Sequence, residues 1–483
     1  MFKMMGCIDS PAKDGQVVGS AAEVTGWMAG EAELASLRLL VNGRHAASMG
    51  RGLPRPDVAK SHPCFASAAR SGFSHRLNTR ILPNGPHTLA IEGVTPDGLS
   101  LTLERTFIVR NTAPPRALAN HSLLLEDLAG RRSELRSRPT KIFIEPTKLC
   151  NLSCIMCRSP QYLHQLRRSG ETIGRMPWEA FAKIIPVLGG ASSIIPTGWG
   201  EAFTHPDFTK MLSTIRRHNR TARIAFNTNA QLLGDKEAAC LIDNEVQAIT
   251  VSVDSPHKTN YEFIRRGARF DRMVRNIDRL IRLREKRGTR YPEIVFEFVV
   301  MGPNILDMPA FVEFAAKFKP AGIVFVAIGG VRPEGEHLRL REPRPYLDIY
   351  RDTKRLAARH GILLKGTAVD IFESFEHEPP RTGTAAAPQA APAENNGRLP
   401  ALKCYEPFQT AFLNCAGEVT PCCFAATSKM GDLRRQSFDE IWNGDRYRAF
   451  RKSFYADEPP NEACRRCLEL GQSPSSIEPP PNR

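Results

Sequence analysis

Between residues 141 and 328 the chain alternates short β-forming runs with longer amphipathic stretches, and this alternation restricts the fold more than any other feature. The runs are Ile142 to Glu145, Ser193 to Pro196, Arg223 to Asn227, Ala248 to Asp254, Glu293 to Val300 and Gly322 to Ile328. Their near-continuous apolar character reads as strands buried on both faces. Helical periodicity separates them, over Trp178 to Leu188, Asp207 to His218, Phe270 to Arg287 and Met308 to Phe318. Repeated strand–helix units predict a parallel sheet covered by helices. Six units are too few for a closed eight-stranded barrel. The expectation is an α/β fold, a partial (βα)6 barrel open on one side, over residues 141–378.

Just after the first run stand Cys150, Cys154 and Cys157, a C-x3-C-x2-C spacing on one short loop. Thiolates are soft ligands, and three on a compact loop suit an iron–sulfur cluster. Three protein thiolates on a four-iron cube leave one iron open to bind and reduce a small molecule. A structural zinc site would need a fourth ligand, and no nearby Cys or His completes a familiar zinc spacing. The loop lies where the chemistry of such barrels gathers, at the C-terminal end of a strand.

With that triplet in place, the ends of the following strands become informative. Thr197-Gly198-Trp199-Gly200-Glu201-Ala202, followed by His205-Pro206-Asp207, resembles the Gly-Gly-Glu-Pro segment of radical S-adenosylmethionine (radical SAM) enzymes. Trp199 replaces a glycine and Ala202 the proline. Asn227-Thr228-Asn229-Ala230, Ser252-Val253-Asp254 and Phe263-Ile264-Arg265-Arg266-Gly267 are similar to further segments of that family. The resemblance implies a SAM-binding 4Fe–4S cluster on Cys150, Cys154 and Cys157, and a SAM pocket of Gly200, Glu201, Asn229, Ser252, Asp254 and Arg265. Ser252 and Arg265 are implied at the SAM carboxylate, Glu201 at its ammonium, and Met156 near adenine. Glycines permit close backbone approach, and a carboxylate accepts a charge-assisted bond from an ammonium. His205 reads as a loop-to-helix residue rather than a base.

Farther on, Cys404, Gly417 to Cys423, Gly431-Asp432-Leu433, Ile441-Trp442-Asn443 and Cys464-x2-Cys467 resemble the SPASM or shorter twitch extension of the same family. This implies one auxiliary 4Fe–4S cluster on Cys404, Cys422, Cys464 and Cys467, with Cys423 as the rival of Cys422 and a zinc ribbon as the bland alternative. The implied reaction is reductive cleavage of SAM to a 5′-deoxyadenosyl radical, which abstracts a hydrogen atom from a peptide or protein substrate. An oxidation or epimerisation of a sugar or small metabolite is the second reading. A non-enzymatic iron–sulfur electron carrier or scaffold is a further one, and no catalytic residue is assigned. A flavodoxin- or ferredoxin-like electron donor is the expected partner.

The flanks differ in texture. Residues 1–112 show short alternating runs with turn signals at Asn42-Gly43, Asn84-Gly85 and Asp97-Gly98, as in an immunoglobulin-like β-sandwich. Trp27 there reads as a core anchor before a sugar platform. Residues 113–140 form a connector with a short helix near Leu123 to Leu128, 379–400 a Pro/Ala-rich linker, 401–472 the small iron–sulfur domain and 473–483 a disordered tail. The net charge of +15 raises nucleic acid as a partner. Much of that charge lies on one amphipathic helix, whose basic side reads as a solvated face, and no RNA-binding motif accompanies it. No apolar run approaches the roughly 18 residues that cross a membrane, and the N-terminus lacks a signal-peptide core. The reading is a cytoplasmic protein, where thiols stay reduced.

Overall fold

The computed structural model describes residues 4–19, 21–77, 79, 82, 84–110, 116–157, 174–328, 337–340, 342–376, 402–423, 425 and 428–469. The linker 379–400 and the tail 473–483 lie outside these residues. The chain divides into two units, residues 1–122 and 123–477.

The first unit is built from two sheets. One runs β1 (Met4–Ser10), β3 (Ala22–Gly30), β7 (Gly72–Leu77), β6 (Arg51–Leu53) in spatial order, and the other β2 (Gln16–Val18), β9 (Ser100–Val109), β8 (Gly85–Val94), β4 (Ser36–Val41), β5 (Arg44–Ser48). Val24, Met28 and Phe73 from the first sheet and Leu39, Leu89 and Phe107 from the second share one core. Asn42 and Gly43 both have positive φ, 52° and 73°. They make the two-residue turn that pairs β4 with β5, as the Asn-Gly signal predicts. Trp27 is buried in a smaller cluster with Val58 and Phe65, its ring 5.2 Å from that of His62.

A helix over Arg116–Ala129 leads into the second unit and is longer than the one expected near Leu123 to Leu128. All six expected strands form: β10 (Lys141–Ile144), β11 (Ser193–Ile195), β12 (Arg223–Thr228), β13 (Ala248–Ser252), β14 (Glu293–Val300) and β15 (Gly322–Ala327), joined by a two-residue β16 (Leu364–Lys365). They pair in parallel in sequence order, an α/β arrangement consistent with a partial barrel. The stretch Trp178 to Leu188 is two short helices, Trp178–Ala182 and Ile185–Leu188, because Pro186 can only enter a helix at its first turn.

The strands are not equally buried on both faces, contrary to the expectation from their apolar runs. In β14, Ile294, Phe296, Phe298 and Val300 are buried while Glu293, Val295, Glu297 and Val299 are partly accessible. A sheet that does not close leaves its inner face reachable, and period-two alternation follows. The outer face packs on helices: Phe298 and Phe325 meet Phe311 of the helix Met308–Ala316 at 4.9 and 6.2 Å between ring centres. The helix Phe270–Lys286 buries Met273, Ile277 and Leu280, the apolar spacing that predicted it.

The C-terminal cysteine segment continues the same sheet. β17 (Thr410–Leu413) lies parallel to β10, with Lys141 opposite Thr410 and Ile144 opposite Leu413. β18 (Glu418–Thr420) and β19 (Gly431–Asp432) then extend it antiparallel, giving ten strands in one sheet among the described residues. Among the described residues no helix is long and apolar enough to cross a membrane.

Candidate functional site

The cysteine loop leaves the C-terminal end of β10 and is held by the backbone of neighbouring segments. Thr147 accepts the Leu149 N–H at 2.9 Å and donates to the Gly174 carbonyl. The Leu149 carbonyl accepts the Glu201 N–H at 2.9 Å and the Thr204 hydroxyl at 3.0 Å. Ser153 N–H donates to the Arg266 carbonyl and Ile155 N–H to the Ile264 carbonyl, both at 2.9 Å. Cys157 N–H closes a turn on the Cys154 carbonyl at 3.1 Å.

Gly200 belongs to this scaffold. A Cβ there would sit 2.4 Å from the Leu149 oxygen and 2.5 Å from the Thr147 oxygen. The close approach that demands glycine is therefore to the cysteine loop itself.

All three thiols are partly accessible. Leu152 N–H lies 3.4 Å from the Cys150 sulfur, Asn229 Nδ2 3.9 Å from the same sulfur, and Arg265 Nη1 3.9 Å from the Cys154 sulfur. Burial pushes the Cys154 thiol up to about 12 and raises that of Cys150, while the Arg265 charge works against both. Metal binding at such thiols displaces protons.

Glu201 is 3% exposed, and burial raises its carboxyl above the usual range. Its oxygens accept the Thr228 hydroxyl at 2.8 Å and the Asn229 N–H at 2.7 Å. In this arrangement it ties the loops after β11 and β12 together. Asn229 in turn donates to Asn151 Oδ1 at 2.9 Å. Asp254 is fully buried, accepts the Val299 N–H at 2.8 Å and pairs with Arg265 Nη2 at 2.8 Å. Arg265 is 6% exposed, and among the described residues its buried Nε–H has no partner. Ser252 Oγ is 3.5 Å from Glu297 Oε1, and Asn227 Nδ2 donates to Glu297 Oε2 at 3.3 Å.

Sequence reasoning overlooked Glu297, whose carboxyl burial raises. The signal was present as one acid interrupting Ile294-Val295-Phe296 and Phe298-Val299-Val300. Met156 packs with Ile264, Met301, Leu338 and Val299 in a small apolar cluster. His205 donates Nε2–H to the Met176 carbonyl at 3.0 Å and accepts the Asp207 N–H on Nδ1 at 3.0 Å, which leaves no ring nitrogen for a base.

A second constellation lies beyond β17. Cys404, Cys422, Cys464 and Cys467 line one cavity with Ala425, Phe454, Ala463 and Leu468. Cys464 and Cys467 sit three apart on the helix Glu462–Glu469, on one face of it. Asn461 begins that helix, accepting the Cys464 N–H at 2.9 Å. Cys423 is exposed and does not line the cavity, and Cys415 is buried. Among the described residues no three such side chains converge as one metal ion would require. A four-iron cube carries its sulfur ligands on separate corners and asks for a wider space.

Glu145 joins the two regions. Fully buried, it accepts the Trp199 N–H at 3.0 Å and the Cys415 N–H at 3.2 Å, with Lys148 Nζ at 3.9 Å.

Residues 144–315 match the model of the radical SAM superfamily, and residues 404–468 match that of the SPASM iron–sulfur cluster-binding domain. The chain carries a radical SAM domain and a C-terminal SPASM domain.

A tungsten-containing aldehyde ferredoxin oxidoreductase cofactor-modifying protein of Pyrococcus furiosus is 24% identical over 325 residues, 64% of this chain and 82% of that protein. A GTP 3′,8-cyclase of Chlorobaculum tepidum is 25% identical over 196 residues, 40% of this chain and 52% of that protein. A protein of Archaeoglobus fulgidus is 26% identical over 229 residues, 47% of this chain and 50% of that protein. The chain thus spans about half the length of two of these curated relatives. The structure of Streptococcus suis SuiB bound to S-adenosylmethionine shares the fold, with a TM-score of 0.51 at 14% identity over 73% of this chain and 74% of that one.

The radical SAM domain implies SAM and a 4Fe–4S cluster, and the SPASM domain further iron–sulfur clusters. The side chains fit such groups. The radical SAM loop gathers three soft donors beside a buried guanidinium N–H that has no acceptor among the described residues. The SPASM cavity is lined by four thiols and little else that is polar.

Proposed function

We propose that this chain is a radical SAM enzyme acting on a peptide or protein, with one auxiliary 4Fe–4S cluster in the SPASM domain. The observation that carries the reading is the cysteine loop pinned to residues 264–266, with the unpartnered Nε–H of buried Arg265 next to it. Cys150, Cys154 and Cys157 would hold the SAM-binding cluster. Together, cluster and SAM would supply one-electron cleavage of SAM and a 5′-deoxyadenosyl radical able to take a hydrogen atom from the substrate.

The chain's own residues bind and orient. Arg265, fixed by Asp254, would offer its Nε–H to the SAM carboxylate, and Ser252 would offer its hydroxyl to the same group. Met156, partly accessible and backed by buried Met301 and Leu338, would offer adenine an apolar contact. Glu201 sets the Asn229 backbone, which places Asn229 against the cysteine loop, while Gly200 lets the two loops touch. Cys404, Cys422, Cys464 and Cys467 would ligate the auxiliary cluster, with Cys422 favoured over Cys423 because it faces the cavity. The electron would come from a flavodoxin- or ferredoxin-like donor in the cytoplasm.

We read the domains as 141–378 for the barrel and 401–472 for the auxiliary cluster, with 113–140 connecting them to an immunoglobulin-like accessory domain over 1–112. The strand orders β1-β3-β7-β6 and β9-β8-β4-β5 support that last assignment, since they follow the A-B-E-D and G-F-C-C′ pattern.

A small-molecule substrate is the second reading, favoured by the likeness to the cofactor-modifying protein of Pyrococcus furiosus. Anaerobically reconstituted protein with dithionite and SAM should release 5′-deoxyadenosine. An intact cluster that yields none would sink the assignment. Stimulation of that release by a cellular peptide fraction, or instead by a small-molecule fraction, separates the two substrates.

A further inference from the structure

The reductive reading above requires an electron from outside the site, and the surface beside the cysteine loop is suited to receive its carrier. Residues 264–266 hold the loop through two backbone hydrogen bonds. The chain then turns outward at Gly267, φ 91°, and enters the helix Phe270–Lys286. Along this path Arg266, Arg269, Arg272 and Arg275 are exposed, and Phe263 is 53% exposed. Positions 269, 272 and 275 share one side of the helix within about 9 Å along its axis.

The charges around this stretch are unevenly matched. Toward the far end of the helix, Arg279 pairs with Asp235 at 2.9 Å and Arg287 with Asp243 at 3.2 Å, and Arg284 donates to the Pro292 carbonyl at 3.0 Å. Near the loop, Asp271 is taken by Lys258 at 2.5 Å, with Arg275 facing it more weakly, and Glu262 accepts the Phe270 N–H. Among the described residues, the side chains of Arg266, Arg269 and Arg272 make no hydrogen bond or ion pair. An unpaired basic face is ordinarily just solvated. Arg282 and Lys286, farther along the helix, are exposed and unpaired as well among the described residues. Arg266, Arg269 and Arg272, however, are the ones next to the cysteine loop, and exposed Phe263 lies on the same stretch of chain.

We propose that Arg266, Arg269, Arg272 and Arg275, with Phe263, form the docking surface for an acidic one-electron carrier protein that reduces the cluster held by Cys150, Cys154 and Cys157. The carrier loses one electron, the cluster gains it, and no bond forms or breaks. Opposed charges speed encounter and make it salt-dependent, while the ring supplies apolar contact.

The test uses the full, anaerobically reconstituted chain and two probes, reduced flavodoxin and reduced two-iron ferredoxin. The rate is read as bleaching of the cluster's visible absorbance. For Arg269→Glu/Arg272→Glu/Arg275→Glu the rate with at least one carrier should fall about tenfold at low salt. The wild-type rate should drop steeply between roughly 50 and 300 mM salt while the variant's stays flat. Which carrier responds identifies the kind of donor. Bleaching by dithionite should be equal in both proteins.

If the triple variant loses its cluster, Arg272→Ser/Arg275→Ser, confined to the solvent face, carries the same comparison. Unchanged rates with both carriers overturn the proposal. So does loss of single-stranded RNA binding in the variant with carrier reduction intact, which would make the face a nucleic-acid surface. Failure to form 5′-deoxyadenosine with dithionite would instead overturn the enzyme reading and leave arginine-dependent reduction standing.

Discussion

Ala230 has φ 56°, in the left-handed region that an alanine enters at a cost of about 1–2 kcal/mol. The conformation is imposed from outside, since Asn276 Nδ2 donates to the Ala230 carbonyl at 2.7 Å. Ala230→Gly should therefore stabilise the protein by about 0.5–1 kcal/mol after the larger backbone entropy of glycine is set against the strain. A denaturant midpoint that falls instead would refute this. Asp432 behaves differently. Arg434 bonds to it at 2.7 and 3.0 Å and holds its carboxyl at about 2. A carboxyl depressed in the folded chain adds stability above its unfolded value near 3.9, and that stability fades as pH falls toward 2. Arg434 is half exposed, so water screens the pair and its contribution at pH 7 is about 1 kcal/mol. Asp432→Asn should lose that amount at pH 7, progressively less as pH falls through about 2 and nothing below it, read from denaturant curves across pH. At this scale the sequence spoke unevenly. Three cysteines on one loop announce themselves by spacing, and so does the pair Cys464 and Cys467. The pairing of Asp254 with Arg265 does not, because a salt bridge between a strand end and a helix end leaves no periodic trace. Gly200 was recognised as special, yet the atoms that crowd it belong to Thr147 and Leu149.

At the level of elements, the six barrel strands were legible because each is a short apolar run bounded by turn residues. The neighbour of β10 on its far side was not. Parallel pairing with β17 joins Thr140 and Gln409, separated by 269 positions, and local sequence carries no record of such a register. The consequence can be checked by truncation. A chain ending at residue 376 would expose the β10 edge, with its unpaired N–H and C=O groups, and should aggregate or expose apolar surface that binds a hydrophobic dye. Adding back residues 402–469 as a separate chain should restore solubility if edge pairing is the cause. The aromatic packing outside the sheet is a matter of bulk rather than register, and replacing Phe298 by alanine should cost about 3–5 kcal/mol, measured by denaturant unfolding.

For the whole molecule, two cysteine sets on one continuous sheet predict an additive iron inventory. Fully reconstituted protein should carry about eight irons per chain, with two four-iron clusters. Replacing Cys150, Cys154 and Cys157 by alanine should leave about four, and so should replacing Cys404, Cys422, Cys464 and Cys467. An unchanged content in the second variant would remove the auxiliary cluster. The sheet also sets a schedule. β10 is made early, but its partner β17 emerges 269 residues later, roughly 13–55 s at the usual pace of synthesis. Throughout that interval the strand that launches the cysteine loop has an open flank, and Glu145 lacks its Cys415 contact. Iron–sulfur loading of the first site is thus expected to wait for the end of translation, which makes the last segment of the chain the one that times maturation of the first.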